Sequence, residues 1–311
     1  FLATLVVLAV AGRLIWDQTR SIEKTTLFLL NQPAKITNEK ISPTEIDTTA
    51  RFSSESYTHL MSPNEHLVCE NLDRWDEDIE LGPEKKTVLY YLGGDLIIDQ
   101  ENRIWISKNL QNSSKNKKEG WINISERIKE ICNHQPKSAN DGPLNRVLFL
   151  DIDRVDSKTG SGSNKKKLST DLSELLIRLN EDVSLSPQLN RFWLITSVGD
   201  NQKSWFSPEL NSSVFSYFLG MGLNGHAAAP DNEVITLKGL LGYIKNSVNR
   251  WTLDHRFSAQ SPQLISLSKI KHDKVPIIYS KKTSTQLRGV FQIPGNNNRK
   301  LKDLWSKFKQ Q

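Results

Sequence analysis

The stretch VLFLDIDRVD, residues 147–156, is an apolar run that stops at alternating carboxylates. Its continuous apolar character predicts a strand that is buried on both faces of a sheet. The acidic residues Asp151, Asp153 and Asp156 follow at its end. Because acidic residues at the end of a buried strand can carry chemistry, this stretch raises two questions: which fold surrounds it, and whether the carboxylates react.

Working outward from this stretch, comparable apolar runs alternate with segments of helical spacing. The further predicted strands are TTLFLLNQ (25–32), KKTVLYYLGGD (85–95), RIWIS (103–107), RFWLITSV (191–198) and PQLISLS (262–268). The predicted helices cover 63–75, 122–132 with Ser125 as its cap, 169–183, 212–223, and 236–251 with Thr236 as its cap. This alternation predicts an α/β fold with a mostly parallel central sheet and helices on both faces.

The 311 residues have a mean hydropathy of −0.48, which is typical of a chain that is soluble over most of its length. We assign residues 25–268 to the α/β domain and the basic residues 269–311 to a C-terminal extension. The opening run FLATLVVLAVAGRLIW (1–16) departs from the soluble character of the rest, because it is apolar apart from Arg13. It predicts a transmembrane anchor that is incomplete, because a full span needs about 20 residues.

Residues 17–24 are the predicted juxtamembrane linker. Arg13, Arg20 and Lys24 lie on this side of the anchor, and the positive-inside rule therefore predicts a single-pass membrane protein whose soluble domain is cytoplasmic. The net charge of +6 comes from Lys-rich loops and the C-terminus. These loops lack the interleaved aromatic residues that stack on bases, so we expect no nucleic-acid partner.

The number and positions of the cysteines and histidines do not predict a thiol, metal or imidazole site. The two cysteines, Cys69 and Cys132, both fall in predicted helices and cannot build a disulfide framework or a zinc site. The six histidines are scattered, and none directly follows a buried strand. Ligands of parallel sheets bind beyond the carboxyl ends of the strands, so LGGD (92–95) and LDID (150–153) are the segments to consider.

One interpretation of LFLDIDRV is a magnesium-dependent phosphate site. The segment resembles the DxDx[TV] signature of the haloacid dehalogenase superfamily, which implies Asp151 as nucleophile and Asp153 as acid/base around Mg²⁺. If the strands that end at Asp95 and Asp153 are neighbours, the three carboxylates could share one cation, since adjacent strands lie about 5 Å apart. The downstream Lys and the acidic pair of that superfamily are not evident, and the DxD strand comes late in the chain.

The order of segments resembles a different family, the caspase-like peptidases, including the membrane-anchored metacaspase-like domains of bacteria. In that family a strand leads into the catalytic His, a later strand ends in Asp-x-Cys, and a Phe/Tyr-rich helix closes on Gly-Leu-x-Gly. The matching segments are VLYYLGGDLIIDQENRIWI (88–106), RVLFLDIDR (146–154) and LITSVGDNQKSWFSPELNSSVFSYFLGMGLNGHA (194–227). The resemblance covers most of residues 25–268.

The resemblance places Asp95 at the position of the catalytic His and Asp153 at that of the nucleophilic Cys. It therefore implies a pseudoenzyme without cofactor, in which the remnant cleft comprises Gly93, Gly94, Asp95, Asp151, Asp153 and Ser197. We expect a membrane-tethered binding or scaffolding module for an unidentified protein partner. The magnesium-dependent phosphate enzyme stays as the alternative, and a purely structural domain of a larger membrane protein as a third possibility.

Overall fold

The computed structural model describes residues 25–29, 67–71, 87–99, 101–107, 121–133, 143–154, 167–207, 209–210, 212–228 and 234–279. The expected anchor, the linker and the chain beyond residue 279 lie outside these ranges, as does most of the basic loop at 157–167. Across the ranges that are described, no helix has both the length and the apolar character needed to cross a membrane.

The secondary structure follows the expected alternation of strands and helices. The strands are β1 (Thr25–Leu29), β2 (Leu67–Asn71), β3 (Thr87–Ile98), β4 (Ile104–Ser107), β5 (Trp121–Asn123), β6 (Asn145–Arg154), β7 (Phe192–Thr196), β8 (Phe206–Ser207), β9 (Ser212–Ser213), β10 (Val234–Thr236), β11 (Gln263–Ile265) and β12 (Pro276–Tyr279). The helices are α1 (Ile124–Asn133), α2 (Leu168–Asn180), α3 (Ser186–Leu189), α4 (Val214–Met221) and α5 (Leu237–Arg256). A π-helical turn, Gly222–His226, continues α4.

The central sheet has the strand order β11-β7-β6-β3-β1-β2. All neighbouring pairs in it are parallel except β11 with β7, so the antiparallel strand stands at one edge. Strands β4 and β5 extend from β3 as an antiparallel meander. The predicted α/β class, with a mostly parallel central sheet flanked by helices, is confirmed.

Both faces of the sheet are covered, which explains why its strands read as continuous apolar runs. Along β6, Leu148 and Leu150 pack into a core with α1 and α2. The alternate residues Val147 and Phe149 pack into a second core with α4 and α5. Side chains of one strand alternate between faces, so a strand between two cores has no polar side.

Two local predictions are wrong. Residues 63–75 were expected to form a helix, but Leu67–Asn71 is a strand parallel to β1, which places Cys69 in the sheet. Ser125 does not cap α1: the Ser125 backbone N–H donates to Asn123 Oδ1 at 2.9 Å, so Asn123 performs that role. The Thr236 cap of α5 is confirmed, because its Oγ1 accepts from the Gly239 N–H at 3.2 Å.

The packed fold continues past residue 268. Strand β12 pairs with β10, and Val275 and Ile277 are buried in the core beneath α5. The Thr87 hydroxyl at the start of β3 donates to the Pro276 carbonyl at 2.6 Å. Part of the predicted C-terminal extension therefore packs on the domain, at least as far as Tyr279.

Candidate functional site: the carboxyl edge of β3 and β6

Strands β3 and β6 are neighbours, and their parallel ladder runs to the edge where the acidic residues lie. Asp95 is the direct register partner of Asp153, and Gly93 is the partner of Asp151. Adjacent strands in a sheet lie about 4.8 Å apart, so the backbones at positions 95 and 153 face each other at that separation. The sequence-predicted positions from the two segments LGGD and LDID are therefore brought together at one edge.

Gly94, directly before Asp95, allows β4 to approach β3 closely. A Cβ atom added to Gly94 would lie 2.6 Å from Ile106 Cγ2 and 2.6 Å from the Ser107 carbonyl oxygen, which is closer than real Cβ contacts allow. The Asp95 N–H then donates to Ser107 Oγ at 2.9 Å. Close packing of β4 thus explains Gly94 and fixes the Asp95 backbone.

Asp151 is part of a buried hydrogen-bonded cluster, and its side chain is only 1% exposed. The Tyr91 hydroxyl, from β3, donates to Asp151 Oδ2 at 2.6 Å. The Ser213 hydroxyl donates to the same oxygen. Ser213 is also the N-cap of α4, because its Oγ accepts from the Ser216 N–H at 2.9 Å. We call Tyr91, Asp151, Ser213 and Ser216 the Asp151 cluster.

The Asp151 cluster connects three elements of the fold: β3 through Tyr91, β6 through Asp151 and the first turn of α4 through Ser213. A carboxylate near the N-terminus of a helix also interacts favourably with the helix dipole. Both hydroxyl donors are themselves buried, with Tyr91 2% and Ser213 3% exposed. The Asp151 carboxylate therefore stabilises contacts inside the fold. A ligand at the sheet edge would have to displace the Tyr91 and Ser213 hydroxyls to reach it.

Ser197 has a structural role at the end of β7. Its side chain is fully buried, and its Oγ accepts from the Ile152 N–H at 3.0 Å, so the hydroxyl continues the ladder between β6 and β7. The buried Gln260 side chain donates to the Ser197 carbonyl at 3.0 Å and accepts from the Trp205 N–H at 3.1 Å. These bonds hold the loop after β7 against the sheet edge.

Sequence reasoning did not identify Tyr91, Ser213 or Gln260. Tyr91 could have been found from the period of two along β3, which places it with Leu89 on the α4 side, once the register with β6 is known. Ser213 has a local signal, because a serine directly before a helical run is a common N-cap. Gln260 follows α5 with no signal, since its partners are 55 and 63 residues away.

The described cysteine and histidines do not form a catalytic pair. Cys132 lies in the core between the sheet, α1 and α2, and burial raises the pKa of its thiol to about 11. A thiol with that pKa stays protonated at neutral pH and is a weak nucleophile. His226 stacks on Tyr243 with ring centroids 6.4 Å apart, and His255 on Trp251 at 4.4 Å, both on the α5 side of the sheet.

Within the described residues, no group of three or more His, Cys, Asp or Glu side chains is arranged to hold a metal ion. Of the three predicted magnesium ligands, Asp95 and Asp151 have side chains in the described part of the chain. Asp95 is half-buried at the edge, and Asp151 is committed to its hydroxyl donors. The side chain of Asp153 lies outside the described part, although its backbone belongs to β6.

Comparison with known proteins finds similar solved structures but no similar sequence or family. No family model matches the chain, and no curated protein sequence matches it. A solved structure described as pro-sf-caspase-1 is similar over 85% of this chain and 94% of that chain, with 10% sequence identity and a TM-score of 0.40. The function is therefore argued from the chain's own residues.

Proposed function

We propose that this chain is a catalytically inactive caspase-like domain that is tethered to a membrane by a single pass, faces the cytoplasm and acts as a binding or scaffolding module. The observation that carries the proposal is the register of Asp95 with Asp153 near the end of the parallel ladder between β3 and β6. The resemblance of the segments puts the catalytic His and Cys at these two positions. Two carboxylates supply neither a thiolate nucleophile nor an imidazolium that protonates a leaving amine.

Three side chains that could act as nucleophiles, Asp151, Ser197 and Cys132, are each held inside the fold. Asp151 is held by Tyr91 and Ser213, and Ser197 is bonded to the backbone of β6. The Cys132 thiol lies in the core on the α1 and α2 side, away from the face on which the Asp151 cluster lies. These contacts support the proposal that the sheet edge serves binding and not peptide cleavage.

The phosphate-handling alternative makes a different demand on Asp151. As the nucleophile of a haloacid dehalogenase-like site, its carboxylate would have to reach a phosphate ester and a Mg²⁺ ion. At 1% exposure, with two hydroxyls donating to Oδ2, it does not present an attacking oxygen to solvent. We therefore expect no Mg²⁺ binding in a calorimetric titration and no turnover of a phosphate monoester.

The sharpest test rebuilds the missing pair. In the variant Asp153→Cys, the rate of alkylation by iodoacetamide is measured against pH, and the measurement is repeated in Asp95→His/Asp153→Cys. If the two side chains share one cleft, the imidazolium stabilises the thiolate and shifts the midpoint of alkylation to lower pH by about one unit or more. Asp273→His/Asp153→Cys is the matched control, because Asp273 is exposed on the turn before β12.

Unchanged alkylation midpoints in both double variants would show that positions 95 and 153 do not form a remnant dyad site. Inactivity of the natural chain is tested separately, with fluorogenic peptides that end in Arg, Lys or Asp. Cleavage that disappears in Asp153→Asn and persists in Asp273→Asn would show that the chain is an active peptidase and would overturn the proposal.

A further inference from the structure

An exposed aromatic residue follows the last turn of α5. Phe257 is 89% exposed, and Leu253, one helical turn earlier, is 45% exposed. The Phe257 backbone is left-handed, with φ 52° and ψ 30°, at a helix end where glycine is the usual residue. A phenylalanine there strains the backbone and exposes an apolar ring, and both effects oppose stability. Such an outlier suggests a role outside the fold.

Two cations stack on the tryptophan rings at this end of α5. The Arg256 guanidinium lies 5.1 Å from the Trp251 ring centroid and 6.0 Å from that of Trp205. The Lys203 ammonium lies 4.9 Å from the same Trp205 ring. Among the described side chains, neither cation has a carboxylate within ion-pair distance. Arg256, directly before Phe257 in the chain, and Lys203, on the same Trp205 ring, therefore add unpaired positive charge to this end of α5.

Arg250 adds a third cation on the solvent side of α5. Its side chain is 86% exposed, and its contact with Asp254 is long, at 3.9 Å. Residues spaced by three, four and seven positions share one helix face, so Arg250 lies on the same face as Leu253 and near Phe257. Three cations and one carboxylate thus accompany two exposed apolar side chains. We call Lys203, Arg250, Leu253, Arg256 and Phe257 the α5 tip.

We infer that the α5 tip docks on the surface of an anionic lipid bilayer. Phe257 and Leu253 enter the interfacial layer, and the three cations contact lipid phosphates. Interfacial helices bind membranes in this way, with apolar side chains inserted and basic side chains on the headgroups. The exposure of Phe257 favours a lipid bilayer over a peptide as the binding partner of the α5 tip. A peptide-binding groove shields its aromatic anchors with walls, whereas a ring that is 89% exposed suits a soft, flat surface that closes around it.

The α5 tip is a small surface and binds a bilayer weakly by itself. Its membrane binding therefore depends on the rest of the chain. The expected anchor at residues 1–16 would hold the domain near the bilayer, which raises the effective concentration of the α5 tip. The eight-residue linker expected at 17–24 could extend to about 28 Å. The inference adds a second membrane contact to the proposed function, but it does not depend on catalytic inactivity or on a protein partner.

The test measures hydrogen exchange of the backbone amides at 253–259 in the full chain, mixed with lipid nanodiscs. Discs of phosphatidylcholine alone are compared with discs that also contain phosphatidylserine. We expect exchange to slow several-fold on the anionic discs, and the protection to fade as salt rises from about 0.1 to about 1 M, because the Debye length falls from about 10 to about 3 Å. The comparison between lipids holds whether or not the N-terminal segment inserts.

The variant Phe257→Gly separates docking from stability. Glycine suits the left-handed backbone, so this variant should melt at a temperature equal to or above that of the natural chain, yet lose the lipid-dependent protection. Val183→Ser is the matched control, since Val183 is an apolar side chain that is 86% exposed on another surface. It should keep the protection in full.

Equal exchange on the two kinds of disc, or full protection in Phe257→Gly, would overturn the inference. Equal protection by a soluble acidic peptide, such as oligoglutamate, would also overturn it and would assign the α5 tip to a protein partner. Failure of these lipid experiments leaves the alkylation test of positions 95 and 153 unaffected, so the two proposals fail separately.

Discussion

Asp99 and Asp151 are two hydrogen-bonded carboxylates close to β3, one partly exposed at a turn and one in the core. Asp99 accepts from the Glu101 and Arg103 N–H groups, both at 2.9 Å, from Arg103 Nε at 2.7 Å and from Trp105 Nε1 at 3.0 Å. Asp151 accepts from the buried hydroxyls of Tyr91 and Ser213. Each of these donors to Asp99 comes from within six residues of it.

The difference lies in what each carboxylate connects. Asp99 shapes the turn between β3 and β4, a local contact that forms with little loss of chain entropy. Asp151 joins residues that are 60 and 62 positions away in the sequence. When a donor is released at the surface, water replaces its partner, whereas a donor released in the core stays unsatisfied and costs free energy. Burial and sequence separation therefore set how much each carboxylate contributes to stability.

The largest effect is expected for Asp151→Ala. It leaves the Tyr91 and Ser213 hydroxyls without their shared acceptor in a site that water does not enter, and it opens a small cavity. Each orphaned buried group costs about 1–3 kcal/mol, so we expect the free energy of unfolding to fall by about 2–5 kcal/mol. Urea denaturation followed by tryptophan fluorescence measures it.

Asp151→Asn is the matched variant, because it keeps the shape and one oxygen acceptor. Its loss should be smaller than that of Asp151→Ala. If Asp151→Ala costs less than about 0.5 kcal/mol, the range usual for a surface substitution, the Asp151 cluster does not connect the three elements and the contrast with Asp99 fails.

A smaller effect is expected for Ser213→Ala. This change removes both the cap of α4 and one donor to Asp151, whereas Thr236→Ala removes only the cap of α5. A cap contributes about 1 kcal/mol, so Thr236→Ala gives the cost of a cap, and Ser213→Ala should exceed it by about a further 1 kcal/mol.

The excess in Ser213→Ala should disappear in the background of Asp151→Ala, because the shared contact is then already lost. A double-mutant cycle on urea unfolding measures this coupling. Additive losses would mean that Ser213 acts only as a cap.

The sequence predicts the sheet well because its strands are long apolar runs. In β6 and β3 the pattern extends over 10 and 12 residues, and burial on both faces leaves no competing periodicity. The 63–75 segment fails for the opposite reason. Its strand has five residues, and Val68 and Leu72 happen to share a helical spacing, so pairing with β1 decides the outcome. Strand β12 was not predicted from the sequence either. It begins at Pro276, and a proline in a segment argues against a strand unless it is the first residue or lies at a sheet edge.

The candidate site is predictable to the level of backbone position. Parallel strands present their carboxyl ends at one edge of the sheet, so the sequence predicts Asp95 and Asp153 at the same edge, but their direct pairing comes from the observed register of β3 with β6. The partners of Asp151 are not predictable in this way, because a contact between Tyr91, Asp151 and Ser213 requires the register of β3 on β6 and the docking of α4. A single sequence contains the residues of that cluster but no signal for their long-range pairing.

The smallest effect is expected at Asp99, and it depends on pH. Partial desolvation raises the pKa of Asp99, but the hydrogen bonds from Trp105, Arg103 and Glu101 outweigh it and lower the pKa from 3.8 to about 2. The folded carboxyl thus holds its proton less tightly than the unfolded one. The stabilisation is therefore complete above pH 3.8 and is lost as the pH falls through about 2.

Carbon-detected NMR of the Asp99 carboxyl should show this low titration, and Asp99→Asn should remove the corresponding acid-dependent part of the stability. At neutral pH the same variant should change urea unfolding by far less than Asp151→Ala, since the Asp99 side chain is 25% exposed and water screens its contacts. A loss at Asp99 as large as that at Asp151 would mean that the turn between β3 and β4, whose strand β4 packs on Gly94, supports the edge of the sheet as strongly as the buried cluster does.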